Sequence, residues 1–218
     1  FNQTETRYIT LTQDQPPTVD ILYPQNTTYN VNVSQLNYTV TDESVSLCWY
    51  SLNGGANSTP SSCSVNFTNL ISNEGSNTWT VYANDSLNQI GSASVTFTKD
   101  TVNPLASFGT NPVDNFNDSD GSITFDLKVS DNVGVSFLRL YGNWSGSFVA
   151  NKTNSSPVND TIWSVTVNGI PEGQGYVWAA WGNDTANNQD FTDTNRTFTV
   201  DLTNPMTSVI NQPANNTN

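Results

Sequence analysis

The sequence predicts an all-β chain: two β-sandwiches in tandem, with one strand of a neighbouring unit at each end. The first observation behind this is a junction written three times. It reads Val95-Thr96-Phe97-Thr98-Lys99-Asp100-Thr101-Val102-Asn103-Pro104, and again Thr197-Phe198-Thr199-Val200-Asp201-Leu202-Thr203-Asn204-Pro205. A shorter copy stands at Ile9-Thr10-Leu11-Thr12-Gln13-Asp14-Gln15-Pro16. Each copy is an alternating strand, an Asp, a proline and a new apolar strand. Alternation buries every second side chain on one face. Proline cannot donate to a ladder, so it ends one strand and opens the next at an edge. The second observation is a further proline at constant offset: Pro24 after Pro16, Pro112 after Pro104, Pro213 after Pro205, with Asn26 and Asn215 at matching places beyond. A period of this kind marks a repeated unit. The third is a series of short strands separated by turn residues, with no helical periodicity.

The boundaries follow from the junctions. Residues 1–15 read as the closing strand of a preceding or neighbouring unit, with Tyr8, Thr10 and Thr12 alternating with Ile9 and Leu11. Residues 16–103 and 104–204 are the two sandwiches, each close to the ~100 residues of such a domain. Residues 205–218 open the next unit. In the first sandwich, strands are expected at Val19–Tyr23, Leu36–Val40, Val45–Tyr50, Cys63–Leu70, Asn77–Tyr82 and Ser94–Thr98. Asn53-Gly54-Gly55 signals a hairpin, because Gly tolerates positive φ. In the second, Ile123, Phe125, Leu127 and Val129 alternate with Thr124, Asp126 and Lys128, the cleanest half-buried strand in the chain. Strands at Val135–Tyr141, Trp163–Val167, Tyr176–Trp181 and Phe198–Val200 complete it. Trp49, Trp79, Trp163 and Trp178 read as core. Both units carry one turn: Tyr82-Ala83-Asn84-Asp85-Ser86 with Asn88, and Trp181-Gly182-Asn183-Asp184-Thr185 with Asn187. Asn and Asp side chains bond to their own backbone in such turns.

Composition excludes several functions. The formal net charge is −13, with six Lys and Arg, which argues against nucleic acid and against an electrostatic hold on anionic lipid. Charged residues are 11% of the chain, so Asn, Ser and Thr must cover the surface, as in many glycoproteins. No apolar run approaches the ~20 residues of a membrane helix. No charged-then-apolar leader stands at Phe1, so the chain is expected to be a mature form or an excised piece. Cys48 and Cys63 would close a loop of about fifteen residues, worth roughly 3 kcal/mol. The alternatives are a disulfide and two buried free thiols, and an extracellular setting favours the disulfide. Two Cys without His do not make a zinc site.

The Asp-x-x-Asn-Pro junctions, Asp131-Asn132-Val133-Gly134-Val135 and the paired Asn-Asp-Ser/Thr turns resemble tandem Ig-like repeats of prokaryotic surface proteins. Cys48-Trp49-Tyr50-Ser51-Leu52-Asn53-Gly54-Gly55 is particularly similar to repeats of large archaeal cell-surface proteins. The resemblance covers nearly the whole chain. It implies tandem Ig-like β-sandwiches with flanking strands from neighbouring units, an extracellular place at the cell surface, and service as stalk, adhesin shaft or filament body. The chain departs from antibody domains, since its two cysteines lie close together around one hairpin.

Three kinds of site can be named. Asn-x-Ser/Thr triplets, acceptors for N-linked glycans, begin at Asn2, Asn26, Asn32, Asn37, Asn57, Asn66, Asn84, Asn117, Asn143, Asn151, Asn154, Asn159, Asn183, Asn195 and Asn215. Asn151, Asn154 and Asn159 stand out, being in an expected polar loop. Asn84 and Asn183 are weaker, because their turns can consume the side chains. Acidic residues at expected domain ends, Asp85, Asp100, Asp131, Asp184 and Asp201, with Asp42 and Glu43, are candidate calcium ligands; plain Asx-turns are the alternative. Asn117-Asp118-Ser119-Asp120-Gly121 is a fragment of a calcium loop without its closing Glu. Trp144 and Phe148, beyond a strand end, are candidates for a sugar platform, with core packing the alternative for Trp144. Catalysis finds no constellation: with no His, Ser–His and Cys–His pairs are excluded, no nucleophile elbow or phosphate loop occurs, and Glu5, Glu43, Glu74 and Glu172 fall in polar or turn contexts. A Lys–Asn cross-link needs a buried Lys, and Lys128 lies on the face opposite Phe125. The expected function is therefore structural and non-enzymatic: a unit of a glycosylated extracellular filament or stalk, joined head to tail with copies of itself or adjacent Ig-like units. An adhesin or carbohydrate-binding module of a secreted or surface protein is the alternative.

Overall fold

The structure, a computed structural model, describes residues 13–203. The expected flanking strands, at 8–12 and within 205–218, lie outside the described residues. The chain divides into unit 1, Phe1–Thr101, and unit 2, Val102–Asn218.

Unit 1 contains β1 (Thr18–Tyr23), β2 (Thr28–Tyr29), β3 (Gln35–Thr41), β4 (Val45–Leu52), β5 (Phe67–Thr68), β6 (Gly75–Asp85) and β7 (Ile90–Lys99). One sheet has the order β1-β3-β5 and the other β2-β7-β6-β4. Unit 2 contains β8 (Leu105–Phe108), β9 (Phe116–Asp118), β10 (Ile123–Ser130), β11 (Val135–Gly142), β12 (Val149–Asn154), β13 (Trp163–Val167), β14 (Gly173–Asp184), β15 (Gln189–Phe191) and β16 (Arg196–Val200). Its sheets run β13-β10-β8 and β12-β11-β14-β16-β9, with β15 paired to β14. Each unit is an Ig-like β-sandwich.

The repeated second proline marks a change of sheet. β1 pairs antiparallel with β3, but beyond the cis Tyr23–Pro24 bond the chain crosses and β2 pairs parallel with β7. Beyond the cis Asn111–Pro112 bond, β9 likewise pairs parallel with β16. A residue without an N–H suits the point where the chain leaves one ladder for another.

Alternation places the cores. In β6, Asn77, Trp79, Val81, Ala83 and Asp85 are buried, while the residues between them face outward. Trp79 meets Phe97 edge-on at 5.0 Å. In unit 2, Trp178 meets Phe125 at 5.0 Å and Phe108 at 4.6 Å, both edge-on. Such pairs contribute about 0.5–1.5 kcal/mol each beyond area burial.

Three expectations need correction. The strand expected over Cys63–Leu70 is confined to Phe67–Thr68: Cys63 and Ser64 lie in a turn before it, and Asn69, at φ 60°, ends it on the other side. Trp49 is not core: Cys48 takes the inward position, so its neighbour points outward and stacks on Tyr82 at 5.6 Å. The polar loop expected around Asn151 and Asn154 is strand β12, an edge strand on β11. Its faces are mostly solvated, so it carries no apolar alternation to read.

Candidate functional site: the acidic rim of each unit

The same strand builds one feature in both units. The inward face of β6 runs Trp79, Val81, Ala83, Asp85, and that of β14 runs Trp178, Ala180, Gly182, Asp184. An apolar face thus ends on a carboxylate, and both Asp85 and Asp184 are 1% exposed. The turn that follows is conserved in geometry between the units. Asp85 Oδ1 accepts from the amides of Leu87 and Gln89, both at 2.8 Å. Asp184 Oδ1 accepts from Ala186 at 2.8 Å and Asn188 at 2.9 Å. Asn88 and Asn187 supply the positive φ, at 61° and 68°, which Asn tolerates better than most residues. A second turn meets each: the Ser86 amide donates to the Ser44 carbonyl, and that of Thr185 to Gly134.

In unit 1 this brings three carboxylates together. Asp42 Oδ1 is held by the Ser44 amide at 2.6 Å and its hydroxyl at 3.2 Å. Asp14, in the segment before β1, approaches from the third side, its Oδ2 accepting from Gln89 Nε2 at 3.4 Å. One carboxylate oxygen from each of Asp14, Asp42 and Asp85 lies within 4.8 Å of the others. At an effective dielectric of ~20, like charges at that separation repel by roughly 3.5 kcal/mol per pair. Asp85 Oδ2 is buried with no hydrogen-bond partner, which is costly for a charged atom. Asp14 and Asp42 also line an open polar cleft of about 560 Å³ with Thr41 and Glu43.

Unit 2 repeats the pair. Asp131 Oδ1 accepts from the Val133 and Gly134 amides at 2.8 Å. Its Oδ2 is buried without a hydrogen-bond partner, and it lies within 4.8 Å of Asp184. The remaining candidates are placed by backbone. The Asp100 amide donates to the Tyr29 carbonyl at 2.8 Å and the Asp201 amide to Asp118 at 2.9 Å, so each follows its closing strand in the same way. The Thr203 hydroxyl, and then its amide, hold the Asp201 carboxyl below its ordinary value of 3.8. Asp14 was not among the calcium candidates read from the sequence, although its place in the junction matches Asp100 and Asp201. Lys128 is paired with Asp160 at 2.7 Å.

Cys48 and Cys63 form a disulfide with Cα atoms 5.0 Å apart. It spans the turn at Asn53 and Gly54, whose φ values are 54° and 70°. The returning chain bonds to β4 through Ser58 to Tyr50 and Ser61 to Cys48.

The acceptor asparagines differ in how their amides are used. A glycan is carried on Nδ2. That atom donates to Gly142 and Val149 carbonyls in Asn151, to the Asp131 carbonyl in Asn159, to Asn88 in Asn84, and to the Asn188 carbonyl in Asn183. Asn32, Asn66, Asn143 and Asn154 accept through Oδ1 from Ser72, Tyr38, Val177 and Ser156, and Asn37 is half-buried in β3. Asn26, Asn57, Asn66, Asn117 and Asn195 are exposed. Asn2 and Asn215 lie outside the described residues.

The aromatic candidates separate. Trp144 is 8% exposed and stacks on Phe125 at 5.4 Å, so its ring belongs to the core. Phe148 stays outside and joins a patch that sequence reading did not assemble. Phe148 and Phe191 flank Tyr141 at 5.8 and 5.0 Å, Trp181 lies 6.5 Å from Tyr141, and the Arg139 guanidinium sits 4.7 Å over Trp181. The signal was there in the outward positions of β11 and β14, which cross-pair Arg139 with Trp181.

No family model matches the chain, and no curated protein matches it. Similar solved structures include the fibronectin(III)-like modules of Clostridium thermocellum CbhA, with 12% identity, 84% of this chain and 93% of that one covered, and a TM-score of 0.40. A bacterial 1.5-MDa ice-binding adhesin is similar at 19% identity, with 87% of this chain and 66% of that one covered and a TM-score of 0.40. A four-domain N-terminal Ig fragment of Dscam1 is similar at 8% identity, with 88% and 47% covered and a TM-score of 0.41.

Proposed function

We propose that this chain is a non-enzymatic structural segment of a glycosylated, extracellular surface filament or stalk, in which Ig-like units follow one another head to tail. The observation that carries the reading is the repetition of the exit: in both units the closing strand ends on an Asp whose amide is bonded to the strand that follows the sheet-crossing proline. Identical exits let units be strung in series through the Asp-to-Pro segment. The joint is either chain continuity or insertion of a neighbour's strand, since an unpaired strand edge is a template for pairing. Electron microscopy and concentration-dependent light scattering of the chain test the second form: regular polymers growing from the ends support it, and a monomer at every concentration leaves chain continuity. Glycopeptide mass spectrometry on material from the native host tests the glycan. Modified Asn26, Asn57, Asn66, Asn117 or Asn195 is expected, and an unmodified chain removes the glycoprotein part.

The aromatic patch of Tyr141, Phe148, Trp181 and Phe191 favours a second reading, adhesion through carbohydrate. Exposed rings offer apolar faces to sugar rings, and Arg139 adds hydrogen-bond donors. Loss of a glycan-array signal in Trp181→Ala, with unchanged folding, would select it.

A further inference from the structure

The geometry points to a calcium site in unit 1 formed by Asp14, Asp42 and Asp85, which fastens the segment preceding β1 to the rim of the sandwich. This goes beyond the structural reading above and does not depend on it. Calcium takes oxygen ligands at about 2.3–2.6 Å, so two ligands on opposite sides of one ion stand at most about 5 Å apart. The three carboxylate oxygens, all within 4.8 Å of one another, fit around such an ion.

An acidic cluster alone would not carry the assignment. The second observation is Asp85 itself: 1% exposed, with Oδ2 buried and lacking any hydrogen-bond partner. Its Oδ1 is occupied by the Leu87 and Gln89 amides, so Oδ2 is the atom left for the cluster. Buried polar atoms in native structures nearly always have a partner, and an ion is one of the standard explanations where none is seen. Among the described residues the two ion pairs are Lys99–Glu74 and Lys128–Asp160, and neither supplies positive charge here. In unit 2 the counterpart of Asp85 is satisfied, Asp184 Oδ2 accepting from Asn188 Nδ2 at 2.8 Å, and the unpartnered buried oxygen there belongs to Asp131, the counterpart of Asp42.

The donor set selects the ion. It is all carboxylate, with no His in the chain and both cysteines in the disulfide, which suits a hard cation. The open cleft beside Asp14 and Asp42 leaves room for the waters that complete a calcium shell, and irregular surroundings favour calcium over the strict octahedron of magnesium. Asp14 belongs to the junction that the sequence repeats at Asp100 and Asp201.

The test is a titration of the full, chelator-treated chain with calcium chloride at constant sodium chloride, followed by amide NMR. The Ser44, Leu87 and Gln89 amides, which hold the non-coordinating oxygens, are expected to shift saturably below about 1 mM calcium. Asp14→Asn and Asp42→Asn should each weaken that response about tenfold or more without lowering the melting temperature in chelator, since each removes one of the repelling charges. Asp42→Asn keeps the oxygen that Ser44 uses, so misfolding does not confuse the result. The proposal is overturned if these amides do not move up to about 10 mM calcium, if magnesium moves them with equal affinity, or if the two variants titrate like the parent.

Discussion

Opening the disulfide should destabilise unit 1 and leave unit 2 where it is. Cys48 and Cys63 are 15 residues apart, and in the chain-entropy account a loop of that size contributes about 3 kcal/mol. For a unit of roughly 100 residues, each kcal/mol moves the melting temperature by about 4–8 °C, so reduction should lower the unit 1 transition by about 12–24 °C. Cys48 is fully buried, so a Cys48→Ala/Cys63→Ala chain loses about 1 kcal/mol more through the vacated volume. The assay is differential scanning calorimetry with and without dithiothreitol. Unit 2 contains no cysteine, which makes its endotherm the internal standard. A shift of under about 3 °C in unit 1, or equal shifts in both transitions, would refute the reasoning.

Other perturbations bear on different parts of the chain. Asp126 accepts from the Asn111 amide, the Asn111 side chain and the Ser164 hydroxyl, so Asp126→Ala should cost about 3–5 kcal/mol in urea denaturation, against about 1 kcal/mol for Ser164→Ala. Trp144→Ala empties a core position and should cost about 3–5 kcal/mol; a stable variant that instead lost sugar binding would restore Trp144 to the surface. The amide and then the hydroxyl of Thr197 hold the Asp114 carboxyl below its ordinary 3.8. Its contribution to stability is therefore full above 3.8 and is lost as the pH falls through the lowered native value. Thr197→Val removes the hydroxyl and should move the Asp114 titration up towards 3.8, read by carboxyl-carbon NMR. Expression in a glycosylating host should modify Asn57 and Asn117 more fully than Asn159 and Asn183, as measured by glycopeptide mass spectrometry.

What the sequence disclosed depends on whether a residue's partner is set locally or by the fold. The alternation of Ile123, Phe125, Leu127 and Val129 is local, and β10 follows from it directly. The Asp85 and Asp184 turns are local too, since each Asp bonds amides two and four residues on. Their burial could also have been read, because both Asp residues continue the inward alternation that starts at Trp79 and Trp178. Trp144 could not be placed this way: it lies past the end of β11 and folds back over Phe125. The edge strand β12 left no pattern because both its faces are largely wet. The meeting of Asp14 with Asp42 and Asp85 is purely tertiary. So is the crossing at Pro24 and Pro112, which the sequence marks as punctuation without saying where the chain goes next.

That crossing has a mechanical consequence. Because the entering strand lies parallel to the leaving one, stretching a unit by its ends drags the two past each other. Their ladder bonds are then strained together in shear, where an antiparallel hairpin would unzip one bond at a time. Unit 2 aligns three residue pairs at this clamp, Phe116–Phe198, Asn117–Thr199 and Asp118–Val200, and unit 1 two, Thr28–Thr98 and Tyr29–Lys99. Under tension, unit 1's clamp should slip first, with the disulfide limiting how far the chain behind it can extend.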